Sequence, residues 1–157
     1  GTIEMLMTMP LTTVEIIAGK FFAALTLVGL MLAPTLFYVL TLALSGSPDY
    51  GPVIGGYVGA IFLGAAYSAI GLFTSAMTKS QIVAALVSVA GCAFFTLIDM
   101  VVQYLPGRVF SLLSFLGTAF HFQSVSRGIF DFRDLAYFAT FTMFFLLMTH
   151  TTLEERK

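Results

Sequence analysis

The chain has 157 residues, of which 59% are hydrophobic and only 10% charged, with a formal net charge of -1. An ordinary soluble domain carries about 25% charged residues and needs them, because it leaves about 30% of its chain's surface in water. With a mean hydropathy of +0.99, this composition excludes a typical soluble enzyme, a disordered tail and a nucleic-acid binder, and points to a protein dissolved in lipid.

The spacing of the charges carries the next inference. No Asp, Glu, Lys or Arg occurs in residues 21–48, 50–78, 80–98, 109–126 or 135–153. A bilayer core needs about 20 apolar residues per helical span. Four of these gaps read as spans.

The segment 1–10, GTIEMLMTMP, is expected to form a short amphipathic surface helix. Ile3, Leu6 and Met7 share one face, Glu4 stands off it, and Pro10 ends the helix. Thr12 and Glu15 then make a Thr-x-x-Glu capping box that starts a new helix. Span one is placed near residues 16–44, with a kink at Pro34. The loop SGSPDYGP (45–52) has turn chemistry. The chain begins at Gly1 without a signal-peptide layout, so further residues upstream are expected.

Span two is placed at about 53–77. Gly56, Ala60, Gly64 and Ser68 recur at every fourth position, beside a formal G-x-x-x-G at Gly55 and Gly59. Small residues admit a second helix closely, so this stripe is a candidate packing face. The competing reading is the general small-residue content of membrane helices. The break Thr78-Lys79-Ser80-Gln81 makes spans two and three a tight hairpin. Span three runs from about 82 to 104 and stops at Pro106-Gly107. Asp99 is its single charged residue. It reads first as an interfacial acid, hydrated or paired with Arg108, and second as a functional intramembrane acid. Cys92 reads as a small apolar filler.

The piece 107–134 differs. Ser111, Ser114, Thr118 and His121 recur at helical spacing amid phenylalanines and leucines. It is read as an interfacial or re-entrant element, with a fifth span as the alternative. Its end, HFQSVSRGIFDFRD, gathers His121, Arg127, Asp131, Arg133 and Asp134, and Gly128 permits a turn there. Span four is placed at 135–149, after which HTTLEERK leaves the membrane. The expected fold is therefore an all-α, polytopic transmembrane helical bundle in one domain, 1–157. It has about four spanning helices, an N-terminal surface helix and one re-entrant or interfacial element. Lys79 and the C-terminus fall on one side and Asp49 on the other, and the short loops favour Lys79 inside.

Motifs for chemistry are missing. There is no G-x-x-x-x-G-K-[ST] phosphate loop, no H-E-x-x-H and no G-x-S-x-G, and His121 and His150 lie apart in sequence. The sequence thus offers neither an ATP site, a zinc site nor a nucleophile–base pair. No catalytic residue, cofactor or metal is assigned to it.

Two stretches do resemble a known family. Gly1, Thr2, Glu4, Leu6 and Pro10, followed by Glu15, Gly19 and Lys20, resemble the G-T-x-E-x-L-x-x-x-P and E-x-x-x-G-K segment of type-2 ABC transporter permeases. His121, Phe122, Ser124, Arg127, Gly128, Asp131, Arg133, Asp134, Tyr137 and Phe138 are similar to that family's H-F-x-S-x-x-R-G-x-x-D-x-R-D-x-x-Y-F stretch. The branch they look most like contains the gliding-motility-associated and nitrous-oxide-reductase-maturation permeases. The resemblance implies the C-terminal two-thirds of a six-span permease in the plasma (inner) membrane, with a cytoplasmic C-terminus. It implies that 1–10 is a coupling helix docking on an ABC ATPase subunit, with Glu4, Leu6, Met7, Pro10 and Glu15 at the contact. It also implies that 107–134 is an extracytoplasmic re-entrant element. ATP and magnesium would sit on the partner ATPase, and a second permease copy or a related permease would complete the translocation path. Membrane lipid is the surrounding partner, and no nucleic acid is expected. The rival functions are an ion-coupled secondary transporter using Asp99 and a non-transporting membrane scaffold. A secondary transporter usually shows internal repeats with matched broken spans; Pro34 has no counterpart in the second half.

Overall fold

A computed structural model describes residues 12–46, 48–102, 117–128 and 131–155, with backbone alone at 99–102. The proposed surface helix 1–10, the Pro106-Gly107 stop, Arg108 and the side chain of Asp99 lie outside the described residues.

Helix α1 (Thr13–Leu32) starts at the expected capping box: the Thr12 side chain accepts from the Glu15 N–H, and the Glu15 carboxylate accepts from the Thr12 N–H at 2.8 Å. Both orphan donors are thus satisfied reciprocally. The kink expected at Pro34 takes the form of a 3-10 turn over Ala33–Thr35, after which helix α2 (Leu36–Ser45) completes the span. Pro34 has no N–H to give to an α-helical ladder. Thr35 donates to the Leu32 carbonyl at 2.6 Å and meets the Tyr57 hydroxyl at 2.7 Å. Since Thr35 has one proton, Tyr57 is the donor in the second bond.

Helix α3 (Tyr50–Met77) has 28 residues, about 42 Å at 1.5 Å per residue, longer than the about 30 Å hydrocarbon core. Asp49 caps it by accepting from the Gly51 N–H at 3.1 Å, and Pro52 falls in the first turn, where no intrahelical donor is lost. A short link, Thr78–Ser80, leads to α4 (Gln81–Val102). Helix α5 (Thr118–Ser126) and α6 (Phe132–Glu154) follow, with Asp131 capping α6. Four helical segments are long and apolar enough to cross a membrane: Thr13–Ser45, Tyr50–Met77, Gln81–Ile98 and Phe132–Glu154. The four-span bundle read from the charge gaps stands, with span four extending beyond its expected limit at 149.

Helix α3 is the hub, packing on α1, α4, α5 and α6. Its pairings give the directions. Val28 lies at Gly64 and Thr35 at Tyr57, so α1 is antiparallel to α3. Phe62 meets Phe138 and Phe73 meets Phe145, so α6 runs parallel to α3. The Lys79 link and the end of α6 therefore share one end of the bundle, and Asp49 marks the other.

Much of the remaining surface is apolar and exposed. Ala84 is the one buried residue in the described part of α4, and α2 buries none. Hydroxyls on these faces are turned onto their own helices: Thr26 donates to Phe22 O, Thr41 to Tyr38 O and Ser88 to Ala85 O. Lipid offers no partners, so a spanning helix must satisfy its polar groups internally.

Among the described glycines, the closest approach is between α3 and α5. A Cβ at Gly55 would lie 2.1 Å from the Val125 carbonyl oxygen, while one at Gly56 would meet nothing within 4 Å. Gly55→Ala is expected to lower stability by about 1–3 kcal/mol, because the obstacle is backbone and cannot rotate away. Gly56→Ala is expected to be neutral or stabilising by up to about 1 kcal/mol. Unfolding of both variants in the same detergent checks this; equal effects would refute the backbone contact.

Candidate functional site

The described polar groups converge where α5 meets α3 and α6. Three glycines of α3, spaced four apart, make the seat. Gly51 lies against Gly128, Gly55 against Val125, and Gly59 against the Phe122 ring, whose carbons would be 3.2 Å from an added Cβ. Gly128 has φ +80°, the left-handed conformation that ends α5 and that residues with a Cβ resist. A Cβ there would also lie 2.7 Å from the Gly51 carbonyl carbon. Glycine is therefore needed at Gly128 both for conformation and for room.

With α5 seated, His121 reaches the first turn of α6. Its Nδ1 is 2.6 Å from Asp134 Oδ1, and both side chains are buried. The Tyr137 ring, one turn on, stacks on the imidazole with centroids 4.1 Å apart and planes at 20°. Asp134 Oδ2 is buried without a hydrogen-bond partner among the described residues. The arrangement fastens α5 to α6.

Below this pair an aromatic ladder descends α6 at i, i+4 spacing. Tyr137 contacts Phe141 (5.8 Å), and Phe141 contacts Phe145 (5.0 Å). Phe145 meets Phe73 of α3 at 5.8 Å, and Phe95 of α4 packs edge-on against Phe141 at 5.0 Å. Such pairs add about 0.5–1.5 kcal/mol each beyond their burial. The polar pair at the Asp49 end is thus continuous with the packing between α3, α4 and α6.

Of the residues singled out in 121–134, the structure brings His121 and Asp134 together. Arg127, Asp131 and Arg133 are exposed, with Asp131 serving as the α6 cap. Gly56, Ala60, Gly64 and Ser68 are each half-buried. Gly64 faces Val28 of α1, whose Cγ1 would be 2.8 Å from an added Cβ. Glu15 belongs to the capping box, and Glu4, Leu6, Met7 and Pro10 lie outside the described residues. Tyr137 was not among the candidate site residues, although it lies one turn from Asp134. Its i+3 spacing on α6 was the available signal.

His121→Phe and Asp134→Leu each remove the 2.6 Å contact between two buried polar side chains and are expected to cost about 1–3 kcal/mol. The double variant should cost less than the sum of the two. Equilibrium unfolding in detergent of both singles and the double measures the coupling; strict additivity would show that the contact carries no energy.

No curated protein and no solved structure matches the chain. The sequence model of one family, described as ABC-2 family transporter protein, matches residues 1–153. That match includes both motif-bearing ends, the four apolar spans and the α3–α5–α6 junction between them. The chain belongs to the ABC-2 family of transporter proteins.

Proposed function

We propose that this chain is the membrane-spanning permease subunit of an ATP-driven exporter and does no covalent chemistry itself. The family match over residues 1–153 carries this reading, and the four membrane-length apolar helices support it. A multi-pass ABC-type permease is a transport subunit, and its family normally works with an ABC ATPase. The sequence has no phosphate loop, so ATP and magnesium are assigned to that separate ATPase chain. A second permease copy, or a related permease, completes the path. The resemblance of the motifs from Gly1 to Lys20 and from His121 to Phe138 supports assigning the chain, within that family, to the gliding-motility-associated and nitrous-oxide-reductase-maturation branch.

In this reading the Lys79 end and the C-terminus face the cytoplasm of a plasma (inner) membrane, and residues 107–134 form the extracytoplasmic re-entrant element. Residues 1–10 dock on the ATPase. Closure of an ATP-loaded ATPase pair moves this segment, and the reciprocal Thr12–Glu15 cap gives α1 a firm start through which the movement enters the bundle.

Two experiments test the proposal. Single cysteines at positions 49 and 157, in a Cys92→Ala background, should label from opposite sides of the membrane. Labelling from the same side would require an even number of spans between them, as a fifth span would give. Glu4→Arg or Leu6→Ala in the full-length permease should weaken pull-down of the ATPase. A contact worth about 2 kcal/mol corresponds to about thirtyfold in affinity. Unchanged ATPase binding by both variants at normal membrane insertion would remove 1–10 from the coupling contact.

A further inference from the structure

The inner end of α5 is held by a second polar feature, independent of the His121–Asp134 pair. Tyr67 is ten residues from the Met77 end of α3, about 15 Å along the helix and so about half the depth of a 30 Å hydrocarbon core. There its hydroxyl bonds to Thr96 of α4 and, at 3.1 Å, to Thr118 at the start of α5. Thr118 is fully buried, and its helix is preceded by Gly117, which has no capping side chain.

Three hydroxyls from three helices carry one proton each, and this sets the direction of every bond. Thr96 donates to the carbonyl of Cys92 at 2.8 Å on its own helix. It therefore accepts from Tyr67. Tyr67, having given its proton to Thr96, can only accept from Thr118. The result is a one-way chain from the Thr118 hydroxyl to Tyr67, to Thr96 and to the Cys92 carbonyl. Aligned hydrogen bonds of this kind polarise and strengthen one another, and lipid supplies no competing donor or acceptor.

The geometry points to Tyr67 as the positioning residue that hangs the inner end of α5 from α3 and α4. The other described attachments of α5 named above begin one turn beyond Thr118 and run to its outer end: His121 on Asp134, Phe122 on Gly59, Val125 on Gly55 and Gly128 on Gly51. They seat the helix but leave its Gly117 end to the relay. Helix α4 buries only Ala84 among its described residues, and the relay is its described polar tie to both neighbours. A tilt of α4 is passed through Thr96 and Tyr67 to the start of α5. This tie belongs to the folded permease and stands apart from the exporter reading, so its test needs neither ATP nor cargo.

The test uses full-length permease in nanodiscs, in a Cys92→Ala background that leaves the residue 92 carbonyl in place. Spin labels at Leu97 on α4 and Gln123 on α5, both exposed, report the α4–α5 distance by pulsed electron paramagnetic resonance. Tyr67→Phe, Thr96→Val and Thr118→Val each remove a hydroxyl while keeping the shape, and each should broaden the distance distribution. Thr96→Ser and Thr118→Ser keep the hydroxyl and should restore the parental distribution. Tyr57→Phe, which loses only the link to Thr35, should leave it unchanged. Thr96 is exposed on its helix, so its variants disturb no packed core even if Tyr67→Phe folds poorly. A parental distribution in Thr96→Val and Thr118→Val, or equal broadening in the Ser and Val variants, would overturn the assignment.

Discussion

Where Gly55 meets the Val125 carbonyl, α3 and α5 touch backbone to backbone, and much of the bundle is arranged around that contact. Helices in lipid gain little from burying apolar side chains, since lipid tails are as apolar as leucine. They gain from close approach, which only small residues permit. Gly51, Gly55 and Gly59 of α3 provide the approach, and the left-handed Gly128 lets α5 end on top of the seam. Once α5 is seated, His121 is in reach of Asp134 and Thr118 is in reach of Tyr67. The polar contacts are consequences of the glycine seam, and they fix a helix that the seam has already placed.

The second constraint is the count of protons. In water a stray hydroxyl is solvated at no great cost; in a bilayer it must find a partner within the protein. The described hydroxyls largely do so in one of two ways. Thr26, Thr41, Ser88 and Thr149 donate to a carbonyl three or four residues back on their own helix. Thr35 and Thr96 do the same, and their lone pairs then receive the tyrosines of α3. A threonine whose proton is committed at home becomes an acceptor abroad. Tyr57 and Tyr67 use this to join α3 to the 3-10 turn and to α4.

The spans were legible because charge is costly in hydrocarbon. The empty stretches 21–48 and 50–78 announced α1–α2 and α3, and Thr12-x-x-Glu15 announced the start of α1 through purely local chemistry. Pro34 announced the break for the same reason. The candidate site was legible only in part. His121 and Asp134 stood in one polar stretch, but thirteen residues and a turn separate them, and sequence spacing does not bring side chains together across two helices. The small-residue stripe shows the same limit. Gly55 and Gly59 are adjacent to Gly56 and Ala60, so a rotation of about 100° on α3 separates two equally plausible faces. Which face receives α5 depends on a helix some seventy residues later. The Tyr67–Thr96–Thr118 relay was illegible, since three uncharged hydroxyls on three helices leave no periodic trace.

That separation in sequence has a consequence for biogenesis. Helices α3 and α4 are joined by three residues and can enter the bilayer as a hairpin while the rest of the chain is still being made. The glycine groove on α3 is then complete in covalent terms, yet its occupant does not exist until synthesis has passed Gly128, 77 residues beyond Gly51. During that interval acyl chains line the groove. Seating α5 is therefore a displacement reaction, in which a nascent helix expels lipid tails from a backbone-lined furrow. The final docking step depends on how firmly the surrounding membrane solvates glycine.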